Sequence, residues 1–212
     1  MKNKIECLLC GAAAEHYLKF REKNYYRCHH CSGIMMDPAV HLSPEAEKSR
    51  YDLHNNDVND SGYQNFVKPL VEIISGKYSP DSAGLDYGAG PGPVAAFMLR
   101  EKGFGVELYD PYYWDDPAVL YRKYNYIICS EVIEHFRKPA REFSLLRSLL
   151  QPQGLLICMT EIIDDDLNFA QWYYKNDPTH VFFYHQASLR WIQKKFDFAA
   201  LETRNRIILL ET

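Results

Sequence analysis

The stretch LDYGAGPGPV, Leu85–Val94, sets an acid, Asp86, two residues before three alternating glycines, Gly88, Gly90 and Gly92. Glycines lack a Cβ, so a loop built from them turns tightly and lies close against a bound group. Two phosphate-binding readings fail on spacing. A P-loop needs Gly-Lys-Ser/Thr after the turn, and that is missing. The dinucleotide pattern G-x-G-x-x-G requires its last glycine at position 93 or 95, where the chain has Pro93 and Ala95. What remains is G-x-G-x-G after an acid. Eighteen residues beyond Gly92 the run VELYD ends on a second acid, Asp110. A carboxylate at a strand end attracts a ligand's ammonium or accepts hydrogen bonds from ribose hydroxyls.

A second group of residues has metal chemistry. Cys7, Cys10, Cys28 and Cys31 fall in the pattern C-x2-C-x17-C-x2-C. Two C-x-x-C turns supply four thiolates for tetrahedral zinc, which leaves no open coordination position and makes the site structural. A segment of about 37 residues builds too little core to fold without such a staple. The cysteines at 129 and 158 lie in apolar runs and read as small buried hydrophobes. A third group offers proton transfer. SEVIEHF places Ser130, Glu131, Glu134 and His135 together, and YYKNDPTHVFFYHQ carries Asp177, His180, Tyr184 and His185 among aromatics.

These residues need elements to hold them. Residues 1–37 form the expected zinc ribbon. Residues 38–80 form a helical connector and covering segment, in which Tyr63, Phe66, Leu70, Ile73 and Ile74 share one helical face and Pro69 kinks or divides the helix. From residue 81 strands and helices alternate. AGLDY, GVELYD, YNYIICS and LLICMT read as strands. PVAAFMLREKG, KPAREFSLLRSLLQPQG and QASLRWIQKKF read as helices, and a closing strand pair follows. Such alternation predicts an α/β fold, a mostly parallel sheet with helices on both faces.

Composition bounds the partners. The 212 residues carry 47% apolar side chains, enough for a substantial core, and a net charge of −4. A nucleic-acid-binding domain usually carries a basic excess, which this chain does not. Within residues 1–37, six Lys or Arg face four Asp or Glu, and a Zn(Cys)4 centre cancels that surplus. No stretch has the length of apolar residues that a membrane span needs, and the first residues do not read as a signal peptide, so the expectation is a cytoplasmic protein with no membrane partner. The sequence leaves the oligomeric state open.

The acid-plus-glycine loop resembles the first motif of the class I S-adenosylmethionine (SAM)-dependent methyltransferases, and the resemblance extends from residue 84 to about 210. SEVIEHF resembles a Glu-Val-Leu-Glu-His run of the ubiquinone-type O-methyltransferases. The resemblance implies a Rossmann-like sheet of seven strands with an antiparallel last strand. It implies SAM against Asp86, Gly88, Ala89, Gly90, Gly92, Asp110, Pro111, Ser130 and Glu131, with Tyr51 and His54 in a segment folded over the cofactor. The family usually fits a helix, a strand and a turn between the second and fourth strands. Here only residues 111–123 are available, so a short third strand, AVLY, is expected, with Tyr112, Tyr113 or Trp114 against adenine.

The implied function is methyl transfer from SAM to a small-molecule acceptor, at oxygen. The sulfonium is already activated, so the enzyme aligns the nucleophile and removes its proton. His180 is the first candidate base, with Glu131, His135 and Tyr184 as further candidate catalytic residues. Two alternatives stand beside this. Glu131, Glu134, His135 and His180 resemble the metal centre of the small-RNA 2'-O-methyltransferases, where a divalent ion lowers a hydroxyl's pKa. Alternatively, the ribbon is a binding module riding on a SAM-binding fold that does no chemistry.

Overall fold

The computed structural model describes residues 4–53 and 57–212; His54 lies outside the described residues. The chain opens with four strands, β1 (Lys4–Glu6), β2 (Ala13–Phe20), β3 (Lys23–Cys28) and β4 (Ile34–Met36). Two helices follow, α1 (Pro44–Tyr51) and α2 (Ser61–Lys77). Ser43 and Asp60 cap them by accepting backbone N–H groups of their first turns. Helix α2 runs unbroken through Pro69. Pro69 is exposed, so the carbonyl it deprives of a partner lies on the wet side of the helix.

The alternating part then runs β5 (Gly84–Tyr87), α3 (Val94–Glu101), β6 (Val106–Tyr109), β7 (Tyr124–Ser130), α4 (Pro139–Leu149) and β8 (Leu150–Met159). It continues through the short β9 (Ile162–Ile163), β10 (Phe182–His185), α5 (Gln186–Lys195), β11 (Ala200–Arg204) and β12 (Ile207–Glu211). One sheet has the order β11-β12-β8-β7-β5-β6. Strands β6, β5, β7 and β8 are parallel to one another, and β12 is antiparallel to both its neighbours. Side chains alternate across this sheet. Tyr126 and Ile128 join the core under α2 and α3, while Ile127 and Cys129 join the core under α4 and α5.

Two expectations need correction. This sheet has six strands, not seven. Pro117–Tyr121, the segment expected as a third strand, is a 3-10 helix capped by Asp116. Residues 111–123 are too few for a crossover helix and a parallel strand, and a tight turn bridging Asp110 to Trp114 takes up several of them. The strand expected at LLICMT also begins earlier, at Leu150, directly after α4. Leu150 pairs with Tyr124 and Leu155 with Tyr126, so residues 151–154 bulge out, with Gln153 at φ 61°.

The N-terminal strands pair beyond their own segment. A second sheet has the order β1-β2-β3-β4-β10-β9. Phe182 pairs with Met35 and Phe183 with Ile34, so a strand from the far end of the chain completes the ribbon's sheet. Cys7, Cys28 and Cys31 share one continuous core with Tyr184, Leu189 and Ile192. No helix among the described residues is long and apolar enough to cross a membrane.

Candidate active site

At the carboxyl end of β5 the chain leaves the sheet through Asp86, Tyr87 and the glycines. Gly88 takes φ 79° and Gly90 φ 62°, values that favour glycine. A Cβ on Gly88 would stand 2.6 Å from both methyl groups of Val132, so the loop passes against the segment after β7 with no room for a side chain. The loop is tied to the end of β6. Gly88 N–H and Ala89 N–H donate to Tyr109 C=O at 2.8 and 3.1 Å, and Gly90 N–H donates to Asp110 Oδ2 at 3.0 Å. Trp114 Nε1–H closes the other side on Gly90 C=O at 2.7 Å. Asp110 therefore sits beside the loop, where the sequence pattern expected an acid. Its Oδ1 also accepts the N–H groups of Tyr112 and Tyr113 at 2.8 and 3.2 Å. A carboxylate offers about four acceptor positions, so three are used to shape the turn and one remains for a ligand hydroxyl.

Asp86 is buried, and its carboxyl is pushed up to about 7 by loss of solvent, opposed by a hydrogen bond with the Ala96 backbone. With the folded pKa above the unfolded one, the proton is held in the folded state. Stability from this group is therefore greatest below about pH 4 and falls as pH rises towards about 7. A cationic ligand beside Asp86 favours the ionised form. SAM affinity is expected to rise between about pH 5.5 and about pH 7.5 with release of a proton, and to lose most of that dependence in Asp86→Asn. Titration calorimetry in buffers of different ionisation enthalpy reads both.

Tyr51, expected in a segment folded over the cofactor, packs beside the Asp110 turn. Its hydroxyl donates to Glu47 at 3.0 Å, and its ring faces both Tyr112 and His135, with centroids 5.9 and 5.4 Å away. Glu47, buried, also accepts from Tyr112 Oη at 2.9 Å and pairs with Arg137 at 2.8 Å. Tyr113 Oη donates to Asp52 at 2.7 Å. Helix α1 thus rests on the Asp110 turn, and two of the three aromatics considered for adenine have their hydroxyls turned to it.

The other half of the site follows β7. Ser130 Oγ is buried with no hydrogen-bond partner among the described residues. Glu131 takes φ 54°, a strained value for a non-glycine residue. Its carboxylate turns to Arg206 at 2.8 and 2.9 Å. Glu134 is buried, and its Oε1 accepts from Tyr174 Oη, which also donates to Glu131 at 3.1 Å and contacts Thr160 at 3.0 Å. Burial pushes both glutamates up to about 7, with repulsion from Glu134 adding to Glu131 and Arg206 opposing. His135 Nδ1 lies 3.0 Å from Thr179 C=O, and His180 Nδ1 lies 2.7 Å from Tyr174 C=O. A carbonyl only accepts, so each Nδ1 carries hydrogen and the neutral ring keeps its lone pair on Nε2. The two rings stand 4.8 Å apart, and burial holds His135 below its usual value.

One donor atom each from Glu134, His135 and His180 lies within 4.8 Å of the others. Of the four residues considered for a metal, three converge and Glu131 does not. Tyr184, a candidate catalytic residue, is elsewhere. It is fully buried, and its hydroxyl donates to Ile133 C=O at 2.9 Å. Tyr174 is the residue that sequence reasoning missed. Its hydroxyl bridges both glutamates, its carbonyl orients His180 and its ring lies 4.2 Å from that imidazole. One tyrosine among sixteen carries no spacing signal.

The four N-terminal cysteines also converge. Their sulfurs lie within 4.8 Å of one another, with Cys7–Cys31 at 3.7 Å and Cys10–Cys28 at 3.5 Å. A tetrahedron of thiolates about 2.3 Å from zinc has edges of about 3.8 Å. Disulfide sulfurs stand about 2.05 Å apart. The cluster fits a zinc ion, and Cys7, Cys10, Cys28 and Cys31 are the residues that would hold it.

A family model described as a methyltransferase domain matches residues 59–203. The chain belongs to this methyltransferase-domain family. The matched region contains the glycine loop, Asp110, the Glu131–His135 run and His180. No curated protein matches the sequence. Among solved structures, the fold is similar to an O-methyltransferase family protein from Burkholderia thailandensis, at 15% identity and a TM-score of 0.53. That match covers 82% of this chain and 62% of the other, so the present chain spans less than two thirds of that protein. It is also similar to 1,6-didemethyltoxoflavin-N1-methyltransferase from the same organism, solved with its substrate and S-adenosylhomocysteine. Identity there is 14%, the TM-score 0.52, and coverage 93% of this chain and 98% of that one. A SAM-dependent methyltransferase from Archaeoglobus fulgidus matches at 13% identity and a TM-score of 0.53, over 70% and 94% of the two chains. At these identities the shared property is the methyltransferase fold.

Proposed function

We propose that this chain transfers the methyl group of SAM to a small-molecule acceptor, at oxygen, with His180 as the base. The observation that carries the reading is the glycine loop, Gly88–Gly92, hydrogen-bonded to Asp110 and standing at the end of the strand that bears Asp86. Gly88, Ala89, Gly90 and Gly92 would lie along the cofactor, Asp86 would face its ammonium, and Asp110 would accept from its ribose. Pro111, Ser130 and Glu131 border the same edge. The cofactor supplies an activated methyl group when bound. The chain's own residues then have two tasks. Buried side chains around His135 and His180 exclude water, and His180 Nε2 accepts the acceptor's proton while Tyr174 C=O holds the opposite ring nitrogen. A methyltransferase of this fold solved with a small substrate supports that acceptor class, as does the net charge of −4. Calorimetric titration of zinc-replete protein with SAM and S-adenosylhomocysteine tests the cofactor. Binding of both at micromolar Kd is expected. Absence of both would leave the loop as a structural turn and favour the ribbon as a binding module.

A second reading has a specific observation behind it. Glu134, His135 and His180 converge, both imidazoles are oriented by backbone carbonyls, and Glu134 Oε2 is buried without a hydrogen-bond partner among the described residues. Metal-bound histidines commonly donate their second N–H in this way. Under this reading a divalent ion there lowers the pKa of an acceptor hydroxyl. Glu134→Gln is then expected to weaken Mn2+ binding about 10-fold or more and to abolish metal-dependent turnover. Unchanged metal dependence would return the proton to His180 alone.

A further inference from the structure

We infer that the cysteine cluster is a positioning device for the acceptor side of the transfer site, acting through Ser188 and β10. The path is continuous. The Cys28–Cys31 turn presents its Cys31 carbonyl to Ser188, whose Oγ–H donates to it at 2.7 Å in a buried contact. Ser188 lies in the first turn of α5, and the same Oγ accepts His185 N–H at 3.2 Å, so this hydroxyl joins the cysteine turn to the last residue of β10. Two residues after Cys31, Gly33 lets β10 sit directly on the backbone, because a Cβ there would meet the Phe182 ring at 2.5 Å.

From there β10 is clamped between the ribbon and the transfer site. On the ribbon side, Met36 N–H donates to Val181 C=O at 2.9 Å, and Met35 pairs with Phe182. On the site side, Val181 N–H donates to Glu134 C=O and Tyr184 Oη–H to Ile133 C=O, both at 2.9 Å. His180 stands two residues before this strand and next to Val181. Glu134 and His135 belong to the segment it holds.

The glycine loop meets the held segment at the Val132 side chain, but its backbone is tied elsewhere. Hydrogen bonds of Gly88, Ala89 and Gly90 run to Tyr109, Asp110 and Trp114. Four cysteine sulfurs lie within 4.8 Å of one another; a zinc ion bound by their thiolates would hold them there, and its removal would free the turn that Ser188 grips. Loss of zinc is therefore expected to loosen His180 and Glu134 while leaving the glycine loop set. Ser188 is a positioning residue in this scheme and touches no reactant.

Hydrogen exchange on the full chain, read by mass spectrometry, tests this without an acceptor. With zinc removed by chelation, amides of residues 178–186 are expected to exchange at least about tenfold faster, while those of 84–92 stay within about twofold. Ser188→Ala, with its zinc content intact, is expected to raise exchange at 178–186 selectively and by less. SAM affinity stays within about twofold in both, and turnover falls through kcat rather than through KM for SAM. Unchanged exchange at 178–186 in Ser188→Ala, or an equal rise at both segments, overturns the inference. Should the zinc-free chain unfold, the zinc-replete Ser188→Ala protein still decides it. The inference rests on the methyl-transfer reading only for the kinetic result. If that reading fails, SAM does not bind and the exchange result stands; if the coupling fails, SAM still binds.

Discussion

Gly88→Ala is expected to cost at least about 30-fold in SAM affinity. Two effects add. A left-handed backbone costs an L-residue about 1–2 kcal/mol. A Cβ forced to 2.6 Å from both Val132 methyls adds about 1–3 kcal/mol of overpacking. The loop relieves the clash by moving off Val132, and Gly90 N–H then leaves Asp110. Val132→Ala in the same chain removes the methyl contacts and not the φ strain, so it is expected to return about tenfold of the loss. Calorimetry on the single and double variants reads the coupling. Full affinity in Gly88→Ala would mean that the cofactor lies elsewhere.

His180→Ala is expected to lower turnover by about 10²- to 10⁴-fold, with SAM affinity within about twofold. The reason is position. The residue stands with Glu134 and His135 after the sheet's carboxyl edge and is oriented by Tyr174. Both proton-transfer readings require this loss, and Mn2+ separates them. In protein that keeps its cysteine-bound zinc and is freed of other divalent ions, a base still works, whereas a metal ligand has lost activity that Mn2+ restores. Tyr184→Phe is the contrast. It removes one buried hydrogen bond to Ile133 C=O, costs about 1 kcal/mol of stability and lowers turnover far less than His180→Ala, because Val181 N–H still ties β10 to Glu134 C=O. Single-turnover rates with excess enzyme keep chemistry apart from product release.

The two halves of the site differ in how visible they are in the chain. The cofactor half is local: Asp86 and the glycines lie within seven residues, and Asp110 follows at the end of the next strand. Backbone conformation and strand polarity place such residues without help from distant segments. The cysteine pairs are legible for the same reason, since each C-x-x-C turn places its own two sulfurs and one metal joins the turns. The acceptor half was legible in part. His135 and His180 were singled out, but Glu131 looked like their partner and Tyr184 like their neighbour. Arg206, from the final hairpin, draws Glu131 away, and the core under α4 takes Tyr184. Neither effect has a spacing signature.

By itself the sequence determined the glycine loop, its two acids, the four-cysteine cluster and the strand–helix alternation of a mostly parallel sheet, because each follows from short-range geometry and hydrophobic period. Only the tertiary structure decided that the third strand is absent, that Tyr174 ties two glutamates to His180, and that β10 belongs to the ribbon's sheet. The last two come from pairings that no short window shows, Tyr174 with Glu134 across 40 positions and Met35 with Phe182 across more than a hundred. They are set by which buried donors and acceptors find partners once the whole chain has collapsed.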